Sequence, residues 1–174
     1  MIVSLFTIAA LAAANPAPPP AVCSVGELRQ SPGYRWRVER IEELVDSASR
    51  VVRATAVAAD SVAGIVRFQP VEWLRGAPAP AVSLPGIAVD RDDLNGGPVP
   101  YQLVRSAGQR GDCFAQEYRL GAQYLLLLRD QPGRNPIQWW PLAPVNEQVR
   151  GDDDAWLAWV RRRVAARPSS RGDT

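Results

Sequence analysis

Two runs rich in β-branched residues stand almost back to back, RVVRATAVAAD from Arg50 to Asp60 and GIVRFQPVEWLRG from Gly64 to Gly76. A small polar turn at Asp60-Ser61 separates them, and no other feature narrows the possible folds as far. In the second run Val66 and Phe68 alternate with Arg67 and Gln69, and Val71 and Trp73 alternate with Glu72, so the phase slips at Pro70. A proline inside an alternating strand marks a bulge or an edge position, because it has no N–H to give to a ladder. APAPAVSLPGIAVD adds another strand through Val82 and Leu84. Gln123–Arg129 supplies the most aliphatic strand of the mature chain, and IQWWPL adds one more after the turn at Pro132-Gly133. Short strands with turn signals about every ten residues point to an antiparallel sheet or a small barrel.

Two segments break this period. Val38, Ile41, Val45 and Ala48 recur at helical spacing, with Glu39, Glu42, Glu43 and Asp46 falling mostly elsewhere, which predicts an amphipathic helix near 38–49. Near 153–165, Trp156, Val160 and Val164 repeat every fourth residue behind a cap at Asp152 or Asp153, and Arg161 to Arg163 sit towards the negative end of the helix dipole. The expected fold class is mainly β with two flanking helices, α+β. At 174 residues the chain suffices for one domain with a real core, since a chain of this size buries roughly 68–70% of its unfolded surface.

Export is the next expectation. Residues 1–14, MIVSLFTIAALAAA, form an apolar run ending in a small-x-small cleavage pattern and read as a signal peptide. The α-amino group is the only positive charge ahead of that run, which leaves an uncleaved anchor as the alternative. The run is shorter than the roughly 20 residues a bilayer span needs, and nothing later is long enough. A proline-rich spacer follows at 15–22, then the domain at 23–166 and a polar tail at 167–174 that is expected to be disordered. The RGD of that tail is discounted as an adhesion motif, because chance matches are frequent in such ends. Pro20-Ala21-Val22 ahead of Cys23 makes lipidation the weaker reading. In an oxidising compartment, periplasmic or extracellular, two thiols in a small domain most often pair, so Cys23 is expected to bridge Cys113. Closing a loop of about 90 residues is worth at most about 4–5 kcal/mol in the chain-entropy account. Two unpaired buried thiols are the alternative.

All 20 basic residues are arginine, there is no histidine, and the formal charge is +2. That balance argues against a nucleic-acid partner, which calls for concentrated basic charge. Lack of histidine removes the Ser-His-Asp and Cys-His arrangements and the histidine-based zinc sites. Carboxylate chemistry remains, from Asp90, Asp92 and Asp93 or from Asp152 to Asp154. DRDDLNGG lacks the fifth-position ligand and distant glutamate of a calcium loop, and GDDDAW is explained by helix capping. No cofactor and no metal are expected, and the oligomeric state is left open.

From Asp90 to Asp112 the strand pattern fails, and loops of that length in a compact domain are usually functional or disordered. Tyr101, Leu103 and Val104 suggest that part of it packs. Arg105 and Arg110 on the loop, with Arg119 beyond it, form a candidate clamp for an anionic ligand, weighed against ordinary solvated arginines. Trp139-Trp140 offers at most one ring to a ligand, because adjacent strand residues face opposite ways. Asn146-Glu147 is read by default as a polar pair that hydrogen-bonds backbone at a corner, with a ligand-facing Glu147 as the sharper alternative.

"EWLRG" at a strand end, a loop cysteine, then Gly121 to Leu128 as G-x-x-YLLLL and a C-terminal helix together resemble the netrin-like modules. These include the tissue inhibitors of metalloproteinases and many exported bacterial proteins of unknown function. The resemblance spans Cys23 to about Arg163 and implies a small antiparallel OB-type barrel with helices packed beside it. It would match Cys23 to the zinc-chelating N-terminal cysteine of the inhibitors. Cleavage after Ala14 leaves eight residues ahead of Cys23, and Cys-x-Cys is here Cys23-Ser24-Val25, which speaks against chelation. The expectation is a non-enzymatic binding or interaction module whose loop 90–112 meets a protein or an anionic envelope ligand, with Tyr101, Arg105, Arg110, Arg119 and Glu147 as candidate binding residues. A protease inhibitor of the netrin-like type and a carboxylate enzyme acting on an envelope polymer are the alternatives.

Overall fold

A computed structural model describes residues 41–101, 105, 117–129 and 146–167. Cys23, Cys113, Arg110, Leu103, Val104, Trp139, Trp140 and the expected strand at IQWWPL lie outside the described residues, as do the expected signal peptide and spacer. Helix α1 (Ile41–Ser47) is followed by strands β1 (Arg50–Asp60), β2 (Ile65–Arg75), β3 (Val82–Pro85), β4 (Ile87–Val89), β5 (Glu117–Arg119), β6 (Gln123–Leu128) and β7 (Asn146–Val149), and by helix α2 (Ala155–Ala166). The chain is mainly β with two helices. A five-stranded antiparallel sheet runs in the order β3-β2-β1-β6-β7, and β4 and β5 form a second, parallel pair.

β1 is the central strand, which explains its nearly continuous burial from Val51 to Ala54 where half-buried strands alternate. Its two faces feed two cores. Val51 belongs to a core on the helix side with Leu125, Leu127, Val149, Leu44, Val45, Trp156, Leu157 and Val160. Val52, Ala54 and Ala56 point the other way, into a core closed by Tyr118 of β5. The two alanines leave room for rings: Phe68 and Tyr118 lie 4.8 Å apart edge-on, and Tyr118 and Tyr124 5.1 Å. Such perpendicular packing places a ring's positive edge on its neighbour's negative face.

The irregularity expected at Pro70 is present. The β1–β2 register shifts between Arg53 and Ala54 and again between Ala56 and Ala58, with Pro70 opposite Ala54. β3 pairs with β2 only from Ile65 to Phe68, so on that side no strand among the described residues needs an N–H from Pro70. β2 then ends at Gly76, whose φ of 86° and whose hydrogen in place of a Cβ both matter. An added Cβ would lie 2.5 Å from Arg50 Cγ and 2.9 Å from the Ser49 carbonyl.

Arg75, buried at that strand end, ties both helices to the sheet. Its Nη1 donates to the carbonyls of Val45, Asp46 and Ala48 at 2.7, 3.2 and 3.1 Å, and Nη2 donates to that of Arg167 at 3.2 Å. These lie at helix C-termini, where carbonyls lack full internal pairing; that of Val45 accepts in addition from the Ala48 N–H. Asp46 adds a second link by accepting from Arg163 Nε and Nη2 at 2.8 and 2.6 Å. That bidentate pair holds the Asp46 carboxyl below its ordinary range.

The cap of α2 corrects the sequence reading. Asp154, not Asp152 or Asp153, accepts from the amides of Trp156 and Leu157 at 3.0 and 3.2 Å. Asp152 is instead engaged by Arg53 at 2.5 Å, so it holds the sheet to the helix entry. Asn146 and Glu147 open strand β7, and Asn146 donates to the Tyr118 hydroxyl at 3.0 Å.

Candidate functional site

Beyond β4 the chain turns across the end of the sheet, and its polar side chains fix where it goes. Leu94 bridges in parallel to Gln148 of β7. The Asp93 amide donates to Gln148 Oε1 at 2.9 Å, and Gln148 Nε2 donates to Asp92 Oδ1. Asp92 Oδ2 accepts from Arg119 Nη1 at 2.6 Å, and Arg91 pairs with Glu117 at 2.8 Å. Hydrogen bonds from Arg119 and then Gln148 hold the Asp92 carboxyl below its ordinary range, and Asp92 in turn raises the Arg119 guanidinium. Arg119 also donates its backbone N–H to the Tyr124 hydroxyl at 2.7 Å, which locks the β5–β6 turn over the core.

This bracing leaves a two-lobed groove. One lobe, about 850 Å³, is lined by Ala88 to Arg91 with Arg119 and Leu120. The other, about 530 Å³, is lined by Asp92, Leu94, the turn Arg119–Gln123 and Gln148 to Arg150. Arg119 and Leu120 form the ridge common to both. Leu120 is 43% exposed, and the exposed Val57 and Ile87 lie close by. Ile87 is paired with Glu117 on β5, and Val57 follows Ala56, whose carbonyl accepts from the Gly121 N–H at 2.8 Å.

Behind the groove lies a buried polar cluster. Arg105 and Glu147 are each 1% exposed. Arg105 Nη2 donates to the Glu117 carbonyl at 3.0 Å, Nε lies 3.5 Å from Asp93, and the guanidinium sits 5.9 and 5.5 Å from the ring centres of Tyr118 and Tyr124. Burial pushes the Tyr118 hydroxyl up to about 12. Burial likewise pushes Glu147 up to about 7, with Arg105 pulling against it. The Asn95 side chain and the Arg105 backbone N–H also act on its carboxylate, in the same direction as the Arg105 guanidinium.

The candidate binding residues therefore do not share one surface. Arg119, its side chain 45% exposed, stands in the groove. Tyr101 is buried and stacks on Trp156 at 5.0 Å, while Arg105 and Glu147 are interior. Asp90, Asp92 and Asp93 diverge: Asp90 lines the first lobe, Asp92 binds Arg119, and Asp93 turns inward to Arg105. Among the described residues no three carboxylate or thiol side chains gather as metal ligands would. Sequence reasoning missed Gln148 and Leu120. The only signal for Gln148 is a polar residue in the connection ahead of the helix, and Leu120 carries none, being an aliphatic residue next to an aliphatic strand. Comparison of the chain with known protein families, with curated proteins and with solved structures found no match.

Proposed function

We propose that this chain is an exported, disulfide-stapled module of the OB or netrin-like kind, and that it binds a protein or an anionic envelope ligand through the groove ridged by Arg119 and Leu120. A five-stranded antiparallel sheet with two helices supports the mainly-β part of that reading, while among the described residues β3 and β7 do not pair, so the sheet is not closed into a barrel. The observation that carries the binding reading is the composition of the ridge. A half-exposed arginine paired with Asp92 lines both lobes beside the exposed Leu120, and the exposed Ile87 sits on β4, paired with Glu117 of the neighbouring strand. Arginine beside exposed apolar surface is enriched among the anchors of interfaces, and an existing ion pair lowers the side-chain entropy lost on binding. The partner meets the early part of the 90–112 loop, where Asp90 to Leu94 form the groove wall.

The test is retention of the purified protein on an immobilised envelope extract from the cell that exports it. Leu120→Asp and Arg119→Ala each lower retention at least tenfold if the ridge is the contact. Equal retention by both folded variants would mean that the partner binds elsewhere.

A further inference from the structure

Exposed aliphatic surface is concentrated at one end of the sheet. Val57, Val62, Ile65, Ile87 and Leu120 are five of the six large aliphatic side chains exposed among the described residues, and they gather where the β1–β2 hairpin ends. Val62 lies in the turn closed by the Asp60–Ile65 pair and is 77% exposed. Ile87 follows Gly86, whose N–H donates to the Gly64 carbonyl at 2.8 Å, and Leu120 precedes Gly121, which is bonded to the Ala56 carbonyl. Single exposed aliphatics are ordinary, whereas a gathering of them marks an interaction surface. The same end leaves a strand edge open. β6 pairs with β1 from Arg50 to Thr55, the turn at Gly121-Ala122 bonds to Ala56, and pairing on that side stops there. Val57 to Asp60, all exposed, continue β1 with β2 as their one partner strand among the described residues, and β4 comes near but pairs with β5. Such an edge is a template for another strand, and proteins that stay single blunt it with lysine, proline or an outward charge. Val57-Ala58-Ala59 carries none of these, and Asp60 turns Oδ1 back to the amides of Val62 and Ala63, at 2.9 Å each.

We propose that two copies of this chain pair antiparallel along Val57–Asp60 about a two-fold axis, joining their sheets edge to edge. Charge favours a second copy as the occupant. Each hairpin carries one cation, the exposed Arg67 opposite Ala58, and one carboxylate, Asp60, and among the described residues neither has an ion-pair partner. Antiparallel pairing reverses one strand, so the Asp60 end of each copy comes beside the Ala58 end of the other and sets carboxylate towards guanidinium twice. Nearby, Arg91 pairs with Glu117 and Arg119 with Asp92, so these add no uncompensated charge to repel a copy. The same reversal brings the Val62 turn of each copy towards the Leu120 corner of the other. A four-residue ladder with these aliphatics is a small interface, so the dimer is weak and depends on concentration. It does not rest on what the groove binds.

Sedimentation and amide hydrogen exchange of the intact purified protein at about 10 μM and about 1 mM test this. The mass is expected to double across that range, and exchange within Val57–Asp60 to slow about tenfold while that of Ile41–Ser47 stays unchanged. Ala59→Lys places like charge on both edges at an exposed position and is expected to stay monomeric at the higher concentration; Arg67→Glu is expected to weaken the dimer about tenfold. The wild-type measurements decide without either variant. A monomer at both concentrations overturns the proposal, as does a dimer whose protection falls outside Val57–Asp60. Protection there that survives dilution would mean that the edge is covered within one copy, and protection that appears only on adding envelope extract would mean a strand from another protein; either result overturns it.

Discussion

Arg75 shows how one side chain can decide the placement of two helices. Four carbonyls from the ends of α1 and α2 converge on its Nη1 and Nη2, and all four lose this shared donor together if the guanidinium is removed, although that of Val45 also accepts from the Ala48 N–H. Arg75→Met preserves the stem and volume while leaving buried acceptors unsatisfied. It is expected to cost about 3 kcal/mol, read as a drop in the urea midpoint at unchanged slope. Lysine should restore little, since a point charge on a flexible stem cannot span the acceptors that the planar fork reaches. A midpoint within error of wild type for Arg75→Met would show that water replaces the guanidinium at no cost. Arg119 is the exposed counterpart: the Asp92–Arg119 pair is open to solvent and adds little to stability.

At the level of elements, what could be read from the sequence depended on how local each element's cause is. β1 and β2 announce themselves because Val51, Val52, Val66 and Phe68 serve cores on opposite faces, and Pro70 marks the irregularity. β6 is legible as five apolar residues that are buried on both sides. β4, β5 and β7 were not read as strands. Ile87–Val89 and Glu117–Arg119 are three residues each and exist by pairing with one another across the intervening chain, a cause no short window contains. NEQV is polar because its partners are Tyr118, Asp92 and Asp93, so it carries no apolar alternation. The site was partly legible for the same reason: Arg119 was singled out, yet its ties to Asp92 and Gln148 join residues far apart in sequence. The cap of α2 was legible only as a run of three aspartates. Asp154→Ala is expected to destabilise by about 1 kcal/mol and Asp153→Ala by almost nothing, a contrast thermal unfolding would reveal.

For the whole molecule, two opposed titrations set a narrow range of maximal stability. Asp46, held low by Arg163, contributes stability that is complete above its ordinary value of 3.8 and is lost as pH falls below it. Glu147 works the other way. Its folded value of about 7 lies above the ordinary 4.5, so its contribution is complete below 4.5 and is lost as pH rises through 7. Urea midpoints are therefore expected to peak between those two ordinary values, with Glu147→Gln flattening the upper limb and keeping the acid one. The two-core arrangement leaves the groove at the end of the sheet, where the turn Arg119–Gln123 and the wall Asp90–Leu94 are braced against β7. The most direct measurement of its role is an amide chemical-shift map of the labelled protein titrated with a soluble envelope extract. Binding in the groove predicts perturbations at 88–94, 119–123 and 148–150, with the helix residues Ile41–Ser47 and Ala155–Ala166 unmoved. Perturbations gathered on the helices, with the groove amides unchanged, would contradict the account.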